Sequence, residues 1–336
     1  METAEQKRLI ETLKNNIDKA ILPYVSKLDN LIILDFPNYA NVGDSAIYLG
    51  ELEFFRKNMS IRPSVVSDTG TVPWNHLGSS GSTDPIFLCG GGNFGDLWPH
   101  HQQLRESVLK RFPGRLVIQL PQSIHYNDPG AIARTAEVIK GHGNFVLLVR
   151  DDASYALAKE NFRCEIQRCP DMAFYLGSLK APRPPEHELL LLMRTDREKR
   201  KDLSDGSIDL PAGSIVADWV HDDKSMKLKT KTSTVAKAIL GANFSEMAMR
   251  VNYYDQLARQ RLDRGIKLLS SSRFIITDRL HVHIMSVLLN IPQVVLDNSY
   301  GKVSRFIGLW TEGFSNMQRA DSLPRALEIY RNSRLK

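Results

Sequence analysis

Thr277-Asp278-Arg279-Leu280-His281 is the run whose residue types point most directly at chemistry. It follows an apolar stretch at 274–276 and opens a helical pattern that continues to about residue 289. Arginine in the first turn of a helix opposes the macrodipole, so its place there is best understood with an anion bound to it and to the free backbone N–H groups. His281 can supply or remove a proton near neutral pH. The plain alternative is an Arg279–Asp278 ion pair with His281 packed beside it. His283 is a weaker candidate. A His281/His283 metal pair is disfavoured, because residues two apart on a helix point to different sides.

Two more cations stand at strand ends. The apolar run ending at Asp297 leads through Asn298, Ser299 and Tyr300 to Gly301 and Lys302, and lysine is a good point-charge partner for phosphate. Arg150 directly follows the apolar run 145–149, ahead of Asp151 and Asp152, which read as the N-cap region of the next helix. Solvation of Lys302, and pairing of Arg150 with Asp151 or Asp152, are the bland readings. Together, Arg150, Arg279 and Lys302 suffice to hold the phosphate and carboxylate of one small anionic ligand.

Three polar strand ends complete the set. The Gly-rich segment 90–96, carrying Asn93 and Asp96, permits close backbone approach but lacks the Gly-Lys-Ser/Thr ending of a P-loop and the spacing of a dinucleotide fingerprint. The loop 38–44 presents Asn41 and Asp44, and Gln122 with Ser123 follows the run 116–120. Amide and carboxylate groups of this kind suit sugar hydroxyls. Asn41 and Asp44 could equally cap a helix beginning near Ser45.

The elements that must position these groups alternate. Apolar runs at 31–36, 86–89, 116–120 and 145–149 read as buried parallel strands, separated by helical stretches at 45–57, 101–112, 130–140 and 153–161. A Pro-rich break at 181–185 interrupts the pattern. A second series follows: strands at 189–193 and 215–218, a long helix at 246–269, strands at 274–277 and 294–297, and a helix after each of the last two. The boundary predicts domains over 1–180 and 187–336, both doubly wound α/β, facing one cleft that strand C-terminal loops would line. Segment 197–243 is polar, with Lys227, Lys229 and Lys231 clustered in it, and supports no firm element.

Composition agrees with a packed enzyme. The chain has 336 residues, 42% hydrophobic and 24% charged, which is enough for two cores and rules out a disordered or fibrous class. The net charge of +6 is spread along the chain, so nucleic acid is not expected as a partner. Cys89, Cys164 and Cys169 cannot form a full disulfide framework or a zinc site, and reduced thiols in a cytoplasmic protein are expected. No apolar stretch approaches the roughly 18 residues of a spanning helix. Leu9, Ile10, Leu13, Ile17 and Ile21 instead share one face of an N-terminal helix expected to pack.

In order along the chain stand NVGD at 41–44, GGGNFGDLW at 90–98, LPQSI at 120–124, Arg150 before a Ser-containing helix, PDMA at 170–173, TDRLH at 277–281 and DNSYGK at 297–302. This series resembles the polysaccharide pyruvyl transferase family, and most closely its bacterial exopolysaccharide members. The resemblance implies two Rossmann-like domains in a GT-B-like arrangement, phosphoenolpyruvate as donor and a glycan sugar, lipid-linked or growing, as acceptor. It implies His281 as catalytic acid, with Arg150, Arg279, Leu280 and Lys302 around the donor. Asn41, Asp44, Asn93, Asp96 and Gln122 would then serve the acceptor in the first domain, with the donor on the side of the second. No metal or further cofactor is implied. A lipid-linked acceptor would bring the protein to the inner membrane face, where Lys227, Lys229 and Lys231 could assist. Two rivals remain at this point: a nucleotide-sugar glycosyltransferase of the same fold, and a non-catalytic glycan- or anion-binding protein.

Overall fold

The computed structural model describes residues 2–25, 27–79, 83–194, 210–222, 228, 230–235, 245–297 and 301–333. Two parallel sheets organise them. The first contains β1 (Leu31–Leu34), β2 (Pro63–Ser67), β3 (Ile86–Leu88), β4 (Gly91–Gly95), β5 (Val117–His125), β6 (Phe145–Val149) and β7 (Glu165–Arg168), in the order β2-β1-β3-β5-β6-β7 with β4 added alongside the far part of β5. The second contains β8 (Leu189–Leu192), β9 (Ser214–Val216), β10 (Ile275–Thr277), β11 (Gln293–Leu296) and β12 (Met317–Ala320), in the order β12-β11-β10-β8-β9. Two Rossmann-like units and the expected α/β architecture are therefore present.

In both sheets the first strand lies between the second and the third. The order therefore reverses between β1 and β3 and again between β8 and β10. Such a reversal leaves a crevice outside the carboxyl ends of the two strands, because their crossovers depart to opposite faces. One crevice lies beside Asn41 and Gly92, the other beside Arg194 and Arg279.

The helices are α1 (Ala4–Ile21), α2 (Val42–Met59), α3 (Trp74–Ser79), α4 (Pro99–Arg111), α5 (Pro129–His142), α6 (Asp152–Asn161), α7 (Glu246–Ser270), α8 (Leu280–Leu289), α9 (Lys302–Trp310) and α10 (Leu323–Ser333). Helix α2 is apolar around most of its circumference, the pattern of a helix enclosed on all sides. It is enclosed by both halves of the chain: α7 lies on it with Gly265 against Val42, and Tyr254 of α7 stacks on Phe36 with ring centroids 4.2 Å apart. One hydrophobic cluster runs from α1 through α2 into α8. The N-terminal helix belongs to it, burying Ile10, Leu13, Ile17 and Ile21 while the Gln6 amide donates to the Val287 and Leu288 carbonyls at 2.8 and 2.9 Å.

Three local expectations are corrected. Strand β5 runs on to His125, so Gln122 and Ser123 lie within it rather than after it. The glycine segment is itself partly strand β4, and the Gln122 amide donates to the carbonyl of Cys89, just before it, at 3.0 Å. Helix α2 starts at Val42, three residues before Ser45, because the Asn41 side chain accepts from Gly43 N at 3.0 Å and caps it. Strands β2, β7 and β12 went unforeseen. Each is four or five residues long at a sheet edge and only partly buried, so none shows a continuous apolar run.

Candidate active site

Strand β6 is buried throughout and delivers Arg150 at its carboxyl end, 1% exposed. A buried guanidinium needs partners. Its Nε donates to Ser123 Oγ at 3.0 Å, its Nη1 pairs with Asp171, and Nη1 lies 3.4 Å from His281 Nε2. Asp171, at the start of a 3₁₀ turn (Met172–Leu176), accepts from Ala173 N at 2.9 Å and lies 3.3 Å from His281 Nε2. Burial alone would raise the Asp171 pKa. Arg150, His281 and the Ala173 N–H outweigh it and hold the carboxyl well below the ordinary range. Asp151 and Asp152, the partners considered from sequence, are engaged elsewhere: Asp151 caps α6 and Asp152 pairs with Arg168 at 2.6 Å.

In the second domain, Arg279 is the N-cap residue of α8. Thr277 Oγ1 anchors it, accepting from Arg279 N at 3.0 Å while donating to the Leu192 carbonyl at 2.7 Å. The guanidinium binds Asp218 at 2.9 and 3.1 Å, not Asp278. Asp278 accepts from Arg194 N at 2.8 Å, and burial pushes its pKa up. Lys302 opens α9 directly after Gly301, whose φ of 69° lies in the left-handed region that favours glycine. The far end of α9 returns to the first domain, where Trp310 Nε1 donates to the Arg150 carbonyl at 2.9 Å. His283 faces away from these groups, between Gln293 at 3.2 Å and Thr311 at 2.9 Å, and burial lowers its pKa to about 4.

The opposite wall is polar and mostly first-domain. Asn41 Nδ2 donates to Asp44 at 2.7 Å. Asn93 Oδ1 accepts from Gln122 at 2.9 Å and Arg105 at 3.0 Å, while its Nδ2 donates to Asp35 at 3.2 Å. Asp35 and His101, both buried, form a 2.5 Å contact through Oδ1 and Nδ1. Asp35 takes φ 70°, a conformation that an aspartate tolerates better than most residues. Arg261 and Arg264 on α7 close this wall from behind. Through Asp222, at 2.8 and 2.7 Å, they join the segment carrying Trp219 to the loop before α2, donating also to the Pro37 and Ala40 carbonyls at 3.0 and 2.8 Å.

Between the walls lies a cavity of ≈ 470 Å³ at the meeting of the two crevices. Arg150, Arg194, Arg279 and Lys302 line it, and Asp44 is the one carboxylate among its described lining residues. Leu280, His281, Asn41 and Asn93 line it as well. Two of the residues expected around a ligand are not brought to it. Gln122 is fully buried behind Asn93. Asp96 turns outward, accepting from the N–H groups of Asn127 and Asp128 at 2.7 Å each.

Several groups at the site carried no role in the sequence reading: Asp171, Arg194, Trp219, and the Asp35–His101 pair. A signal existed for two of them. Asp171 lies in the PDMA segment and Asp35 is the acid directly after β1, but nothing in the sequence joins Asp35 to a histidine 66 positions away.

Among the described residues no group of three His, Cys, Asp or Glu could hold a metal ion, and no helix is long and apolar enough to cross a membrane.

A family model described as polysaccharide pyruvyl transferase matches residues 41–300. Pyruvyl transferase 1 of Schizosaccharomyces pombe is 31% identical over 307 residues, covering 86% of this chain and 72% of that protein. EpsO of Bacillus subtilis, which carries a provisional pyruvyl transferase name, is 30% identical over 311 residues, 92% of this chain and 94% of that one. Among solved structures, a functionally uncharacterized protein of Klebsiella pneumoniae shares the fold, with a TM-score of 0.56 at 18% identity over 95% of this chain and 99% of that chain.

Proposed function

The chain belongs to the polysaccharide pyruvyl transferase family, enzymes that transfer pyruvate to polysaccharide, and we propose that phosphoenolpyruvate is its donor and a sugar of an exopolysaccharide or cell-envelope glycan its acceptor. The observation that carries this reading is the convergence of Arg150, Arg279, Lys302 and His281 on one cavity from both domains. Phosphoenolpyruvate presents a phosphate and a carboxylate, and the cations around the cavity match that charge. Its size suits this small donor together with one sugar ring.

In the proposed reaction His281 protonates the methylene carbon of phosphoenolpyruvate, and positive charge develops at the adjacent carbon. A sugar hydroxyl attacks that carbon. The bond from carbon to the bridging oxygen breaks, phosphate leaves, and Arg150 and Lys302 stabilise its developing charge. A second hydroxyl of the same sugar closes the cyclic ketal. Of the two hydroxyl protons released, one replaces the proton given by His281 and the other leaves on phosphate. Asp44, the carboxylate among the described residues of the cavity wall, is assigned to take a hydroxyl proton and pass it to the leaving phosphate. Asp171 holds the His281 ring and the Arg150 guanidinium in register.

We assign the reaction to the cytoplasm, where phosphoenolpyruvate is made, with a lipid-linked acceptor reached at the inner membrane face. Lys227 and Lys229 of the basic cluster lie outside the described residues.

The test is phosphate release from phosphoenolpyruvate with and without a panel of galactosides, glucosides and mannosides. Acceptor-dependent release that drops ~10²–10⁴-fold in His281→Ala supports the proposal. Absence of phosphoenolpyruvate binding, or release unchanged in His281→Ala, defeats it.

A further inference from the structure

His281 and Lys302 belong to the second domain, yet the space they occupy is cut out of the first. We infer that Gly43 and Gly92 are positioning residues, sockets of the first domain into which His281 and Lys302 fit, so that the donor half of the cavity is completed only by the fit across the domain interface. This rests on the donor-site reading of His281 and Lys302.

A Cβ added at Gly43 would lie 2.5 Å from both Cβ and Cγ of His281 and would overlap Nδ1. Carbon atoms in contact prefer about 3.5–4.0 Å, and because the overlap includes the His281 Cβ a new rotamer does not relieve it: the start of α8 would have to shift and carry the ring away. At Gly92 an added Cβ would overlap Lys302 Nζ, the end of a flexible side chain that would swing aside and carry the ammonium from its place, and would lie 3.2 Å from Arg150 Nη2. The backbone does not require glycine at either position, since neither has a positive φ. Gly43 is in the first turn of α2, where alanine is the better helix former. What a side chain there would meet is the second domain.

The socket is rigid because α2 cannot retreat. Further along α2, a Cβ at Gly50 would run into the backbone of Met172, next to Asp171, and Val42 is closed against Gly265 of α7. One helix thus seats Asp171 at one point and His281 at another, which sets their 3.3 Å separation.

The test compares Gly43→Ala, Gly92→Ala, His281→Ala, His281→Gly and the Gly43→Ala/His281→Gly pair, in which the Cβ that the added methyl would meet is gone. Gly308→Ala serves as control, because a Cβ there meets nothing within 4 Å. Three quantities are measured: the thermal midpoint, phosphate release from phosphoenolpyruvate, and the ring signals of His281 by NMR with ¹³C-labelled histidine at one pH. Gly43→Ala is expected to lower kcat ~10²-fold, the scale of an ångström-sized misplacement, and to move the His281 ring signals as the ring leaves Asp171 and Arg150. Gly92→Ala should raise KM for phosphoenolpyruvate at least tenfold and change kcat less. On the His281→Gly background Gly43→Ala should cost nothing in Tm, and Gly308→Ala should match the wild type in turnover and His281 ring signals, with a Tm no lower, since alanine is the better helix former. A Gly43→Ala protein with unchanged His281 ring signals and turnover within twofold of wild type overturns the inference. If Gly43→Ala does not fold, recovery of folding in the double variant supports it and persistent failure overturns it. Turnover that survives His281→Ala defeats the catalytic reading, while the ring signals and the Tm comparison still judge the socket.

Discussion

The two walls of the cavity are built on different plans. The wall of Asp35, Asn93, His101 and Arg105 comes from the first domain alone, and its polar groups satisfy one another: Asp35 serves His101 and Asn93, and Asn93 serves Arg105 and Gln122. The wall of Arg150, Asp171, His281 and Lys302 is assembled across domains, with Arg150 and Asp171 from one and His281 and Lys302 from the other. A self-satisfied network stays in place when its neighbours move, whereas a shared one holds its geometry only while the interface is closed. On the proposed assignment, the wall offered to the acceptor is as rigid as a single fold, and the wall offered to the donor is conditional on how the two domains meet.

The largest effect that sharpens this contrast is expected at Arg150. Arg150→Met leaves Asp171 buried without its main counter-charge, so chemical denaturation should show a loss of about 3–5 kcal/mol, alongside phosphate release too slow to measure. Asp35→Asn should behave differently. It weakens one wall from within, costs about 1–3 kcal/mol, and raises KM for the acceptor while phosphoenolpyruvate affinity measured by calorimetry stays near wild type. Equal loss of donor binding in both variants would break the comparison.

Asp222→Asn is expected to cost less in stability than Arg150→Met, because Arg261 and Arg264 keep their bonds to the Pro37 and Ala40 carbonyls. With the join to the Trp219 segment loosened, acceptor KM should rise severalfold at constant kcat in steady-state assays.

The smallest effect on turnover comes with a pH signature in stability behind the first-domain wall. Glu51 is fully buried, accepts from Gly90 N at 2.7 Å, and burial pushes its pKa up to about 8 from 4.5. A carboxyl that keeps its proton in the folded state, after the unfolded chain has lost it, opposes folding as pH rises. Wild-type stability should therefore fall between about pH 5 and 8 relative to Glu51→Gln, with a slope difference of up to ~1.4 kcal/mol per pH unit, and level off above 8. Urea titrations at several pH values measure it.

How legible these walls were in the sequence depended on locality. Arg150, Arg279, His281 and Lys302 each follow an apolar strand, and a strand's carboxyl end in an α/β sheet points to the binding edge, so their candidacy could be read residue by residue. Asp96 and Gln122 show the limit of that reasoning. Both stand in the same kind of segment as Asn93, but β4 pairing turns Gln122 into an internal strand residue, and Asp96 is captured by the N–H groups of Asn127 and Asp128. Arg279 was weighed as a partner of Asp278, its neighbour in sequence, and instead found Asp218.

By itself, the sequence determined the alternation of strands and helices, the two-sheet architecture, and the cationic and amide groups at the strand ends, because periodicity, strand length and turn chemistry are local properties. Its ordered motifs also sufficed to indicate the family. Only the tertiary structure decided which charges neutralise which, that Asp35 meets His101, and that Gly43 and Gly92 give way to His281 and Lys302. Those outcomes depend on how α2 is enclosed by both halves of the chain, and contacts between residues far apart in sequence leave no spacing to read.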